Sequence, residues 1–519
     1  MKAKRFRNSI LSCLIAAMLV LGLGVGTFAA VEVPPAEMYA EKQMALDWLS
    51  QPEVVEKYGR MSDAIWSYAE LGMQEFKSSK LIADNLEQNG FKVERGLAGM
   101  PTCFTAVYGS GKPVIGFVVE FDALPMISQG AMVPYRDPLV EGAPGHGCGH
   151  NQQGPVMSAT ALAVKEVMDR YGIRGTLKIL GCPAEETVIS RPYMLRAGLF
   201  DDVDALLKTH GGTTFGGGRL GGRSGNALFS VLFSFKGITG HSAGAPWNAR
   251  SALDGVELMN VATNMLREHL FYSYRMHYVI TEGGEAPNVV PDKASVWYFV
   301  RNDDDRVESD YARVVKCAEG AAHATETELT IRIYTAIHQR YANAAIVKLC
   351  HQNSMLIGLP EWSDEENAFA RALQKELGKP VVGLATKLGT LREYDPTQLF
   401  VGGGSNDLGD VTMGIPMGSI SAPGTVPGDV GHHWSRVAGN AGSAAQKGVN
   451  AAAKALAGVA LDLLTRPEFL REIKAELVVQ IEKYPYRSFL PADAVPPVEL
   501  NRELMGKYRP LLESTYLEP

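Results

Sequence analysis

Apolar residues recur at three- and four-residue intervals through YAEKQMALDWLS and then AIWSYAELGMQEFKSSKLIADNLEQNG, so residues 36–90 read as helical, with Gly90 at a helix end. The pattern then changes. PVIGFVVEFDALP (113–125) is a continuous apolar run of strand length, and VMSATALAVKEVMDRYG is helical. GTLKILGCPAEE (175–186) is a second buried strand, and DALLKTHGG (204–212) a third. Helices alternating with fully apolar strands predict an α/β fold, a mostly parallel sheet with helices on both faces. From residue 226 the order becomes β-α-β-β-α-β, that of a ferredoxin-like α+β unit. It reads as an insertion over 226–342, because α/β-type sequence resumes afterwards. The glycine-rich loops VGGGSNDLGDV (401–411) and SAPGTVPGDVGHHWSRVAG (421–439) follow, then an alanine-rich helix and a proline-spaced tail from Pro467. The expected organisation is a catalytic unit in two segments, 31–225 and 343–519, around that insertion.

Composition changes this picture little. The 519 residues are 46% hydrophobic and 21% charged with net charge −7, so no basic footprint points to nucleic acid. The six cysteines show no disulfide-like spacing. The amino terminus matters more. Four basic residues precede an apolar run that ends in Thr27-Phe28-Ala29-Ala30, the layout of a secretory signal peptide over residues 1–30. Export to the periplasm or exterior is expected, or membrane anchoring if the segment is not cleaved.

Polar residues gather where the apolar strands stop. Asp122, Glu185, Glu186 and His210 fall at or beyond the carboxyl ends of the three strands, the edge where open α/β sheets bind ligands. GAPGHGCGHNQQGPV (142–156) adds His146, Cys148 and His150 among glycines that let a backbone wrap closely around a ligand. Adjacent glutamates at a strand end point in different directions, so one can bind metal while the other faces a water. His432-His433 in VGHHWS and His241 in TGHSAGAPW are each compatible with ordinary loop or turn roles. Taken together, these residues supply enough ligands for a two-metal hydrolytic centre.

HGCGHN, PAEE, the following TH, GHSAGAPWNARSALDGVELMN and the late GHHW resemble the zinc-peptidase-like aminoacylase/carboxypeptidase superfamily. The match is to the amidohydrolase branch that includes the aminobenzoyl-glutamate and indole-acetyl-amino-acid hydrolases, and it covers nearly all of the mature chain. The resemblance implies metal ligation by Cys148, His150, Glu186, His210 and His432, with His433 open as the alternative last ligand. It implies Glu185 as general base and His241 as a group reaching across a homodimer, formed through the inserted domain, to polarise the scissile carbonyl. Asn288 and Arg301 match positions near the substrate, and Asp122 an orienting position. His146 is left as loop support. Better-known relatives carry His-x-Asp where this chain has Glu120-Phe121-Asp122, which leaves the metal, zinc or manganese, open. The implied reaction is metal-dependent cleavage of an N-acyl or N-aroyl amino acid to a carboxylic acid and a free amino acid. A dipeptidase or aminopeptidase on the same scaffold, or a non-catalytic exported binding protein, are the alternatives.

Overall fold

A computed structural model describes residues 30–395 and 403–519. The signal-peptide expectation falls, but for Ala30, on residues outside that range, as do the first two residues of the 401–411 loop. The strands that build the two main sheets are β1 (Lys92–Arg95), β2 (Phe104–Ser110), β3 (Val114–Val119), β4 (Gly175–Gly181), β5 (Ala205–Gly211), β6 (Ala227–Lys236), β7 (Arg275–Glu282), β8 (Lys293–Asn302), β9 (Glu328–Ile337) and β10 (Met417–Ala422).

The larger sheet runs β10-β5-β3-β4-β2-β1. Its strands β3, β4 and β5, the predicted apolar runs, are parallel, β10 joins them in parallel without having been predicted, and β2 and β1 add an antiparallel edge. All of Val114–Val119 is buried, as a strand covered on both faces must be. The edge strand KVER, by contrast, is almost wholly solvent-facing and carries no apolar signal that would betray it. The alanine-rich helix extends over Ser443–Thr465 and is buried nearly all round, where its small side chains let neighbouring helices approach closely.

The inserted unit has the expected order. Its antiparallel sheet is arranged β7-β8-β6-β9, and the helices Ala252–Leu266 and Val307–Thr325 pack on it to form a separate core.

One expectation changes. The second helical stretch divides into Pro52–Tyr68 and Phe76–Gln88, because the chain turns at Ala69 in a left-handed conformation (φ 44°). The turn returns Glu70, whose carboxylate accepts the amides of Lys77 and Ser78 at the start of the next helix. The tail is likewise structured: Pro467 opens the helix Pro467–Lys483, where a missing N–H costs nothing. It touches both units, pairing Lys474 with Asp204 and Glu499 with Arg332, and lending Phe489 to the core of the insertion.

Candidate metal centre

Three parallel strands aim their carboxyl ends at one place. Beyond β3 lie Glu120 and Asp122, beyond β4 the turn with Glu185 and Glu186, and β5 itself carries His210. The glycine-rich loop brings Cys148 and His150 over the same edge. Gly149 takes φ +90° there, a conformation that favours glycine, and a Cβ on it would press within 3.3 Å of the Gly211 backbone of β5. The glutamate pair is held in a strained turn, with Ala184 (φ 55°) before it and Val188 (φ 56°) after it in left-handed conformations that a β-branched residue rarely adopts.

Three sets of potential metal-ligating atoms meet here: Cys148, His150 and His210; Cys148, Glu186 and His432; and Glu120, His150 and Glu185. Cys148 Sγ is 3.3 Å from His210 Nε2, and His432 Nε2 is 3.3 Å from Glu186 Oε2. Glu185 Oε2 faces His150 Nε2 at 3.4 Å and shares a set with it and Glu120, while Glu186 shares one with Cys148 and His432.

The donors are prepared for ligation. Asp122 Oδ1 lies 2.9 Å from His150 Nδ1, leaving Nε2 to face the carboxylates. The other Asp122 oxygen accepts the Glu186 amide at 2.8 Å, so one carboxylate orients two neighbours. His210 Nδ1 donates to the Gly211 carbonyl at 2.9 Å, which turns its Nε2 toward Cys148. His150 Nε2 and Glu186 Oε1 are buried without a hydrogen-bond partner, the condition of ligand atoms that a cation would complete. Soft thiolate and imidazole with a carboxylate fit a divalent transition metal.

The electrostatics of the donors divide: His210 is held neutral and ready to ligate, while Cys148 and His150 are held protonated and give up a proton to do so. Burial pushes Cys148 up to about 12 and His210 down to about 3. Burial also pushes Glu185 up to about 8, with Glu120 adding to the rise and His150 opposing it. Binding a cation at Cys148 therefore releases a proton. On His150, burial opposes the charged form, but Cys148, Glu186 and the bond to Asp122 outweigh it and hold its pKa well above the ordinary value.

His432, with φ +57°, turns its ring into the cluster, whereas His433 caps the helix Trp434–Gly439 through Nδ1 and reaches Ser435 Oγ at 2.9 Å. Arg301 lies close enough to Glu185 and His432 to act on both electrostatically. His241 and Asn288 are not brought to the cluster within one chain. His241 Nδ1 accepts the amides of Ala243 and Gly244, and Asn288 is an exposed residue of the facing loop whose carbonyl accepts the Ser242 amide. His146 is buried under the loop, and its carbonyl accepts from Asn440.

Sequence reasoning missed a second set of residues. Glu120 accepts from Lys208, Arg191 and Gln153, each at 2.6 Å, and Arg191 also pairs with Asp407. Burial would raise the Glu120 carboxyl, but Lys208 and Arg191 hold it well below the usual range. Asn406, next to Asp407 in the glycine-rich SND loop, donates to Glu185 Oε1. A lysine inside the apolar run ALLKTH was a readable signal, since a charge in a doubly covered strand needs a buried partner.

Residues 221–325 match the peptidase dimerisation domain. The chain is 35% identical over 465 residues to one of the two kinds of subunit of the p-aminobenzoyl-glutamate hydrolase of Escherichia coli (strain K12), spanning 85% of this chain and 96% of that protein. It is 26% identical over 470 residues to the Xaa-Arg dipeptidase of Mus musculus (86% and 94%). It is 24% identical over 367 residues to the indole-3-acetyl-aspartic acid hydrolase of Enterobacter agglomerans (60% and 84%). The fold matches the crystal structure of an aminobenzoyl-glutamate utilization protein from Klebsiella pneumoniae, with a TM-score of 0.54, 18% identity, and coverage of 81% of this chain and 98% of that one.

Proposed function

The chain belongs to the M20 peptidase family and is a hydrolase of amide bonds, and on that premise we propose that it is a metal-dependent amidohydrolase cleaving N-acyl or N-aroyl amino acids. Compounds like p-aminobenzoyl-glutamate lead the substrates. The observation that carries this reading is the gathering of ligating atoms at the sheet edge: Glu186 meets Cys148 and His432, and Glu185, its pKa pushed up to about 8, meets His150 and Glu120. In this reading Cys148, His150, Glu186, His210 and His432 hold the cations, zinc or manganese, most simply as a pair. Such cations supply Lewis acidity and make a water far easier to deprotonate.

The chain's own residues do the rest. Asn406 fixes one oxygen of Glu185, leaving Oε2 free to take a proton from the attacking water and return it to the departing amine. A carboxylate with its pKa near the working pH suits both transfers. Asp122 keeps His150 and the Glu186 backbone in place throughout. His241 and Asn288, remote from the cluster of their own chain, are assigned to the site of a second copy in a homodimer formed through the inserted domain, with Arg301 facing the substrate. The Escherichia coli hydrolase is named for two different subunits, and both resemble this chain, which makes a heteromer the alternative assembly. Export through the amino-terminal segment is part of the same proposal.

The test is hydrolysis of a panel of N-acyl amino acids and dipeptides by the full chain, with zinc or manganese added, comparing wild type with Glu185→Gln. The expected result is turnover of acyl amino acids by wild type and a kcat lower by about 10²–10⁴-fold in the variant, which still binds cations. Cleavage of dipeptides alone would move the reading to a dipeptidase. Binding of acyl amino acids with no turnover by either protein would make it a binding protein.

A further inference from the structure

Two buried cysteines stand opposite each other in the larger sheet. β2 and β4 pair antiparallel, and the pairing ends at Phe104 and Gly181. One position further along the two strands come Cys103 and Cys182. Pro183 follows, and without an N–H it cannot carry the ladder on, so the pairing stops there. The backbone groups of the two cysteines turn away from one another. The Cys103 carbonyl accepts the amides of Gly96 and Leu97, just past β1, while the Cys182 amide donates to the Val119 carbonyl of β3. Opposed residues whose hydrogen bonds point outward make a non-hydrogen-bonded pair, with Cα atoms about 4.5 Å apart and both side chains on one face. That lies inside the span of roughly 4.4–6.8 Å over which a disulfide closes without moving the backbone.

The side chains agree with this register. Cys103 and Cys182 are fully buried in the same apolar core, alongside Val118, Leu180 and Ala184. Burial pushes the Cys103 thiol well up, and the nearness of Cys182 adds to the rise. The other described cysteines lie elsewhere: Cys148 in the metal centre, Cys317 on a helix of the insertion and Cys350 in a different core. Both thiols are free, with Cys182 Sγ donating to the Leu180 carbonyl at 3.3 Å. The pair flanks a built junction. Thr102, next to Cys103, donates its hydroxyl to Glu75 Oε2 at 2.9 Å, and the Ala184 amide donates to Glu75 Oε1 at 2.8 Å. One buried carboxylate thus ties together the same two strand ends that carry the sulfurs, immediately before Glu185 and Glu186.

We propose that Cys103 and Cys182 form a cross-strand disulfide when the chain folds under oxidising conditions, and that this bond staples the strand end from which the Glu185–Glu186 turn springs. The proposal does not depend on which amide the enzyme cleaves. The reaction is a pair of thiol–disulfide exchanges with an external disulfide, that of oxidised glutathione or of a dithiol oxidoreductase. One cysteine thiolate attacks it, forms a mixed disulfide and releases one thiol. The second cysteine attacks the mixed disulfide, closes the Cys103–Cys182 bond and releases the other. The two cysteine sulfurs lose two electrons, and the external disulfide gains them and takes up the two thiol protons. Burial also pushes Cys182 up to about 11, so in the folded chain both sulfurs are protonated and shut off from solvent. The exchange therefore belongs to folding, before β2 closes on β4, and the finished bond is shielded from reductants. A link between residues far apart in sequence also closes a long loop of the unfolded chain, which favours the folded state.

The experiment folds the full chain from denaturant in glutathione buffer, once oxidising and once fully reducing. Free thiols are then alkylated in denaturant and the digested peptides mapped by mass spectrometry. In the oxidised protein Cys103 and Cys182 are expected in one linked pair of peptides that reductant separates. The oxidised protein should also melt higher than the reduced one, and Cys103→Ala/Cys182→Ala should abolish that difference. Folded oxidised protein in which both cysteines are alkylated overturns the proposal, as does either of them linked to a different cysteine. Linkage with no rise in melting temperature overturns the staple. A second arm serves if oxidative folding yields no soluble chain: reduced, folded protein is held with oxidised glutathione at a denaturant concentration below its unfolding midpoint. Accumulation of the same linked pair supports the proposal, and its absence once exchange has reached equilibrium overturns it.

Discussion

Two groups of buried charge share the carboxyl edge of one sheet, and they are balanced in opposite ways. Around Glu120 the chain brings its own cations: Lys208 and Arg191 meet the carboxylate, and Asp407 closes the network on Arg191. Around Cys148, His150, Glu186, His210 and His432, only a few ångströms away, ligand atoms converge and two of them are buried without a hydrogen-bond partner. Paired internally, a buried charge is structural. Left converging, the same residue types make a binding site. Glu120 joins the two groups: its Oε1 meets Lys208 and Arg191, while Oε2 lies 3.3 Å from His150 Nε2.

The first way to break this comparison is to remove the internal balance. Glu120→Gln leaves Lys208 and Arg191 buried with one carboxylate between them, and is expected to destabilise the metal-free protein by about 3–5 kcal/mol in denaturant unfolding. Lys208→Met added to it should recover part of that loss; no loss in the single variant would show that the network is not structural.

A smaller effect lies in pH. Glu75 is wholly buried, accepts the Ala184 amide at 2.8 Å just before the glutamate pair, and has its carboxyl pushed up to about 8 by burial and by Asp122. A carboxyl whose folded pKa is raised contributes stability that is complete below its unfolded value near 4.5 and is lost as pH rises toward 8. The metal-free protein should thus lose about 3–4 kcal/mol between pH 5 and 8 from this group. Glu75→Gln should flatten that slope in thermal unfolding, and an unchanged slope would refute the assignment.

The smallest effect separates the two late histidines. His433→Ala removes a helix cap and should cost about 1 kcal/mol with cation affinity retained. His432→Ala should weaken cation affinity, read by titration, with little change in the stability of the metal-free chain. The reverse pattern would exchange their roles.

Much of this was legible in the sequence because apolar runs fix which strands are covered on both faces, and polar residues at their ends then share an edge. That logic alone places Asp122, Glu185, Glu186 and His210 together, and the structure gathers them there. It failed where partners are distant in sequence. Glu120 and Asp407 meet through Arg191, and Asn406 reaches Glu185 across 221 positions, contacts that no local period encodes. The short polar edge strand β1 escaped for lack of apolar alternation. The helix Asp364–Glu376 escaped despite a readable signal, the capping box of Ser363 and Glu366.

The central claim is that the converging donors bind divalent cations. Metal content and thermal unfolding of the full chain, equilibrated with zinc or manganese, test it directly in wild type and in Cys148→Ser/Glu186→Gln. The account predicts that wild type retains cations and melts higher with them, by an amount equivalent to about 2.7 kcal/mol at a hundredfold excess over Kd. The double variant should lose bound cation and most of that shift. A double variant with wild-type metal content and the full shift would contradict it.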